Sequence, residues 1–214
     1  DLTLYRVSGD SPVVRALQKA AENGKQVTVI VELKARFDET NNILRARKLE
    51  ESGAHVIYGI SGLKIHCKSL LIIRKEEGTI RRYLHLSTGN YNEKTARVYT
   101  DIGILTTDPE LCSDISALFN VMTGYAAAPE QWNKISAAPF DLKERFISLI
   151  DREIRLNDKH NPGRIIAKVN SLVDNAVIEK LYEAASAGVK VDLIVRGICC
   201  MKPGMKTENI NIVS

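Results

Sequence analysis

Two periodicities alternate through the first half of the chain. Residues 2–7, 27–33 and 55–58 are short apolar, β-branched runs that read as strands, whereas residues 11–23 and 38–52 carry apolar positions at helical spacing. That alternation predicts an α/β layer with parallel strands. Gly24 stands where a helix ending in a left-handed residue needs a glycine. The runs 65–74 and 79–87 flank Lys75-Glu76-Glu77-Gly78 and predict a hairpin. Pro109, preceded by Asp108 as a cap, opens a helix to about residue 123. Ala126-Ala127-Ala128-Pro129 and Ala137-Ala138-Pro139 bracket a domain junction, and a charged helix follows over residues 142–156. Domains over residues 1–130 and 131–214 are expected.

The second part repeats the first. Val13, Leu17, Ala20, Ala21, Gly24, Val27, Ile30 and Val31 are matched by Val177, Leu181, Ala184, Ala185, Gly188, Val191, Ile194 and Val195, always 164 positions on. This is an internal duplication of a strand-helix-strand unit. At the same offset a partner of His66 would fall near residue 230, beyond Ser214. The second half therefore reads as truncated, with one active-site histidine in hand.

Composition narrows the class. With 214 residues, 44% hydrophobic and 26% charged, the chain can bury a sizeable core, and no apolar run approaches the roughly 18 residues of a membrane span. A net charge of +4 favours anionic substrates only weakly and gives no argument for nucleic acid. Cys67, Cys112, Cys199 and Cys200 form no C-x-x-C pair or His/Cys metal set, and no leader peptide is evident. A reducing, cytoplasmic setting is expected. The chain opens on Asp1 and stops inside the strand-like run 210–213, so it reads as a segment of a longer protein.

The chemistry concentrates in Gly62-Leu63-Lys64-Ile65-His66-Cys67-Lys68 and Ser87-Thr88-Gly89-Asn90-Tyr91-Asn92. His66 and Lys68, two apart on a strand, share a face, while Cys67 points to the other and is expected in the core. The second stretch ends a neighbouring strand in a small polar turn that can bring backbone N–H groups and the Asn90 amide to an anion. An imidazole can attack phosphorus and hold the group as a phosphoramidate while cations neutralise the phosphoryl oxygens. Arg6, Arg36 and Arg196 stand at strand ends, where ligands of α/β sheets gather and guanidinium forks match phosphate. The polar segment 92–101 can hold a nucleotide or phosphate chain, with Tyr99 as a stacking surface or hydroxyl donor. His55, His85 and His160 read as structural, and Trp132 as packing between domains.

The runs Leu4-Tyr5-Arg6, Val31-Glu32-Leu33-Lys34-Ala35-Arg36-Phe37-Asp38-Glu39, Gly62 through Lys68, Thr88 through Asp101 and Val195-Arg196-Gly197 closely resemble bacterial polyphosphate kinases of the histidine-phosphorylating type. The likeness runs in order over essentially the whole chain. It implies the two C-terminal catalytic domains of that family, an α/β fold of two related phospholipase D-like domains, mixed sheets flanked by helices, the second truncated. It implies reversible transfer of the terminal phosphate of ATP to polyphosphate through a phosphohistidine, with Mg2+, in a cytoplasmic homo-oligomer compatible with peripheral membrane association. His66 matches the phosphorylated histidine, Tyr99 and Arg196 match ATP contacts, and Arg6 and Arg36 match arginines of the magnesium and phosphate region. Protonated arginine cannot ligate a cation, so those two are expected to hold phosphates that hold the metal. Phospholipase D enzymes carry an aspartate five residues after the motif lysine, where this chain has Ile73. That departure disfavours a phosphodiesterase, and a silent polyanion-binding module is the remaining alternative. The missing second histidine implies that the segment alone is inactive.

Overall fold

The computed structural model describes residues 2–4, 11–32, 39–202 and 208–214. The chain divides into two compact units, Asp1–Ile135 and Ser136–Ser214.

In the first unit β1 (Leu2–Leu4), β2 (Thr28–Val31) and β3 (His55–Tyr58) pair in parallel, connected by α1 (Pro12–Glu22) and α2 (Glu39–Glu51). The sheet continues through the antiparallel strands β4 (Ser69–Glu76), β5 (Thr79–Ser87) and β6 (Gly103–Thr106), in the order β3-β2-β1-β4-β5-β6. Parallel strands in the first part and an antiparallel hairpin after them make up the mixed sheet that was expected. A short α3 (Glu93–Ala96) precedes β6, and α4 (Pro109–Met122) follows it.

Period-two alternation sorts the strand residues between two cores. Leu2, Leu4, Val29 and Val31 pack with Val14, Ala46 and Leu49 of α1 and α2. Ile30, Leu71 and Leu84 pack on the opposite face with Ile65 and with Cys112, Ile115 and Phe119 of α4. The helix starts are chemically specified. The Ser11 hydroxyl accepts from Val14 N–H ahead of Pro12, and the Asp108 carboxylate accepts from Leu111 N–H ahead of Pro109.

The second unit comprises α5 (Leu142–Leu156), β7 (Arg164–Leu172), α6 (Asn175–Ser186), β8 (Lys190–Cys199) and β9 (Ile210–Val213), with its three strands parallel in chain order. The duplicated positions occupy equivalent places. Val191, Leu193 and Val195 are buried in β8 as Val27, Val29 and Val31 are in or beside β2. Gly24 and Gly188 both follow their helices with positive φ, 73° and 88°.

Three expectations change. Residues 65–68 are outside the ladder, because β4 begins only at Ser69. Cys67 is exposed instead of packed in the core. Arg196 lies within β8, which runs on to Cys199. Apart from these three, Trp132 is buried, within the residues of the first unit.

Candidate active site

The chain enters β4 through residues 64–68, which follow the turn around Gly62 (φ 76°). His66 is exposed and Lys68 is buried, yet the two side chains meet. Lys68 Nζ lies 3.1 Å from His66 Nδ1 and 3.3 Å from Nε2, and donates to the His66 carbonyl at 2.6 Å. The sharing of a face thus survives although this segment is not ladder strand.

Ser87 N–H donates to the Lys68 carbonyl at 3.0 Å, which docks the turn after β5 beside the His66 segment. The two sequence motifs are brought together by this bond. Three of the N–H groups in and beside this turn are engaged within the protein. Thr88 N–H donates to the Ile102 carbonyl, Gly89 N–H to Ser87 Oγ, and Asn92 N–H to the Asn90 carbonyl. Asn90 lines the adjacent cavity, and its Oδ1 is buried with no hydrogen-bond partner among the described residues.

That cavity encloses about 470 Å³ and is walled by His85, Ser87, Asn90, Tyr91, Tyr99 and Asp101, among others. Tyr99 is half exposed, positioned by α3 through its N–H to the Thr95 carbonyl at 3.0 Å. Asn92 caps α3 by accepting from Lys94 and Thr95 N–H, so part of the expected nucleotide-holding segment is a capped helical turn. Thr88 Oγ1 donates to Asp101 at 3.1 Å, and a Cβ on Gly89 would run into the Asp101 carboxylate. An alanine there would have to push the Asp101 side chain aside.

His85, taken from sequence as structural, is a cavity wall. Its Nδ1 is 2.8 Å from the Tyr91 hydroxyl, whose acidity burial suppresses strongly, with the neighbouring Cys67 adding to the effect. The signal was available in the alternation, since His85 and Ser87 are two apart on β5 and share a face. His66 is not among the residues lining this cavity.

Arg196 is exposed in the second unit, its Nε donating to Asn170 Oδ1 at 3.2 Å. Arg6 and Arg36 lie outside the described residues. No group of three or more His, Cys, Asp or Glu side chains among the described residues could hold a metal ion. Likewise, no described helix is long and apolar enough to cross a membrane.

Comparison with known proteins covers the chain almost end to end. Residues 1–128 match the family model of polyphosphate kinase C-terminal domain 1 and residues 135–214 that of C-terminal domain 2. The polyphosphate kinase of Exiguobacterium sp. is 57% identical over 99% of this chain and 30% of its own length. That of Synechocystis sp. is 55% identical over 100% of this chain and 29% of its own. The crystal structure of polyphosphate kinase from Porphyromonas gingivalis superposes with a TM-score of 0.85 at 41% identity, covering 99% of this chain and 35% of that one. The chain thus spans about 30% of the length of the curated relatives it matches. On motifs, fold and identity alike, this chain belongs to the polyphosphate kinase family, within its C-terminal domains 1 and 2.

Proposed function

We propose that this segment carries the phosphoryl-transfer centre of a polyphosphate kinase, with His66 as the covalent acceptor. One observation supports this most directly: Lys68 Nζ stands 3.1 Å from His66 Nδ1 beside a turn that presents Asn90 to a cavity. A ring nitrogen of His66 would attack the terminal phosphorus of ATP. The P–N bond forms as the bond to the ADP oxygen breaks, its electron pair leaving with ADP. A terminal oxygen of polyphosphate then attacks the same phosphorus, and the P–N electrons return to the imidazole. Both displacements are reversible.

Lys68 would supply charge-assisted hydrogen bonds to the transferred group, and Asn90 and Tyr99 would hold phosphate and nucleotide. Arg196, Arg6 and Arg36 complete this reading as phosphate-binding cations. Mg2+ prefers oxygen ligands and retains water, and Asp101 is the acidic side chain in the cavity wall. This donor set fits a magnesium ion held mainly by substrate phosphates, which would neutralise their charge. A homo-oligomeric, cytoplasmic enzyme belongs to the same reading.

The test is transfer from γ-labelled ATP with magnesium in a full-length enzyme carrying this segment. Acid-labile label on His66 that chases into polyphosphate is expected, and none in His66→Ala. Polyphosphate binding without label would overturn the kinase reading in favour of an anion-binding module.

A further inference from the structure

Among the described residues, the segment that carries His66 has little ladder to hold it. The β1–β4 pairing described is Leu2 opposite Leu70, residues 64–68 adopt no regular structure, and Ser87 N–H reaches only the Lys68 carbonyl at their end. Buried side chains take over. Thr3 Oγ1 donates to the Cys67 carbonyl at 2.9 Å and accepts from Ser69 N–H at 3.1 Å. Glu32 Oε2 accepts from Ile65 N–H at 2.8 Å. Thr3 is 1% and Glu32 4% exposed. The peptide on each side of His66 is therefore tied to a different strand of the parallel sheet.

Both residues break the apolar pattern at positions where the pattern is otherwise strict. Leu2 and Leu4 enter one core, so Thr3 faces the other, opposite Ile30, and Glu32 follows Ile30 on that same face. A buried hydroxyl and a buried carboxylate are costly unless their hydrogen bonds are made, and theirs are made to the His66 segment. Leucine or valine at either place would satisfy the core but leave the segment untied.

We propose that Thr3 and Glu32 are positioning residues that hold the backbone on both sides of His66 so that the imidazole meets phosphorus in line; this rests on His66 being the phosphoryl acceptor. A hydroxyl that donates one bond and accepts another, two residues apart along the chain, determines where Cys67 and Ser69 lie. The carboxylate at Ile65 determines the approach. With three backbone groups held, the backbone position of His66 between them is held as well. Lys68, buried with its amine on the His66 carbonyl, keeps the cation on the same side.

The test uses a full-length enzyme carrying this segment, with Thr3→Val, Thr3→Ser, Glu32→Met and Glu32→Gln. Serine and glutamine preserve the acceptors and, for serine, the donor; valine and methionine keep approximate shape and lose them. Single-turnover labelling of His66 at saturating ATP should slow about tenfold or more in Thr3→Val and Glu32→Met, with the ATP KM within about threefold of wild type, as expected of lost alignment without lost binding. The Ser and Gln variants should recover to within about threefold of wild type on the same basis. Folded Thr3→Val and Glu32→Met enzymes that label His66 at the wild-type rate would overturn the proposal while leaving the phosphohistidine intact. Absence of label on wild-type His66 would overturn the phosphohistidine reading itself and the positioning role with it. Should the valine and methionine variants fail to fold, amide exchange in the wild type decides. Ile65 and Ser69 N–H must be protected, and exchange at the rate of an open loop refutes the clamp.

Discussion

Asp114→Asn should destabilise the first unit far more than a surface substitution. Asp114 is buried in α4, and four donors converge on its carboxylate. Asn133 N–H (3.1 Å) and Asn133 Nδ2 (2.7 Å) bind Oδ1, while Lys134 N–H (2.7 Å) and Ile135 N–H (3.0 Å) bind Oδ2. An amide retains one oxygen. Placed on the Lys134 and Ile135 side, it keeps two bonds but without their charge assistance, and it opposes its NH2 to Asn133 N–H. The Asn133 side-chain amide can turn its oxygen to the new NH2 and so replace its own bond; losing the Asn133 backbone bond and the ionic part of the two others costs about 1 kcal/mol each, about 3 kcal/mol in all. Ile135 packs against the Cys112–Ile115 core, so release of this segment also loosens packing. At about 3–5 °C per kcal/mol for a unit of this size, the melting temperature should fall by about 10 °C.

The pH dependence has a definite sign. Burial pushes the Asp114 carboxyl up, but the backbone donors of Lys134, Ile135 and Asn133 and the Asn133 side chain outweigh it, so its pKa lies below the ordinary 3.8. A depressed carboxylate contributes its full stabilisation above the unfolded-state value and loses it as pH falls through the folded value. The gap between wild type and Asp114→Asn, measured by urea unfolding of the 214-residue chain, should thus be constant from about pH 5 to 8 and close below about pH 4. A gap under about 0.5 kcal/mol at neutral pH, the size of an ordinary surface effect, would refute the reasoning. So would a gap undiminished by acid.

Leu84→Ala removes a fully buried side chain from the α4 core and should cost about 2–5 kcal/mol, read as a fall in urea midpoint at constant slope. Tyr91 should remain protonated through the alkaline range because burial raises its pKa, so Tyr91→Phe should leave the alkaline limb of the activity–pH profile where it is in the wild type. A shift of that limb would show the phenol titrating. Gly89→Ala would displace the Asp101 carboxylate from the cavity wall, and the ATP KM should rise about tenfold, the cost of about 1.4 kcal/mol of binding, with little change in melting temperature.

Much of this molecule was local, and local features were legible. The helix over 142–156, the strand at 55–58 and the starts of α1 and α4 follow from apolar spacing, proline and a capping oxygen within a few residues. The strand-helix-strand repeat was readable because both copies must bury the same stripe and turn on the same glycine. The meeting of His66 and Lys68 was legible because short spacing keeps two side chains together in any extended backbone. What tertiary structure alone decided lies between segments distant in sequence. The alternation at 65–68 reads as strand, but β4 begins at Ser69, and Thr3 and Glu32 bind the preceding backbone through their side chains. His85 became a cavity wall only when the chain beyond Gly89 folded back to place Tyr91 and Tyr99 beside it. Periodicity specifies which face a residue takes; only the closing of the sheet specifies what stands opposite, because that partner is chosen by packing over long separations.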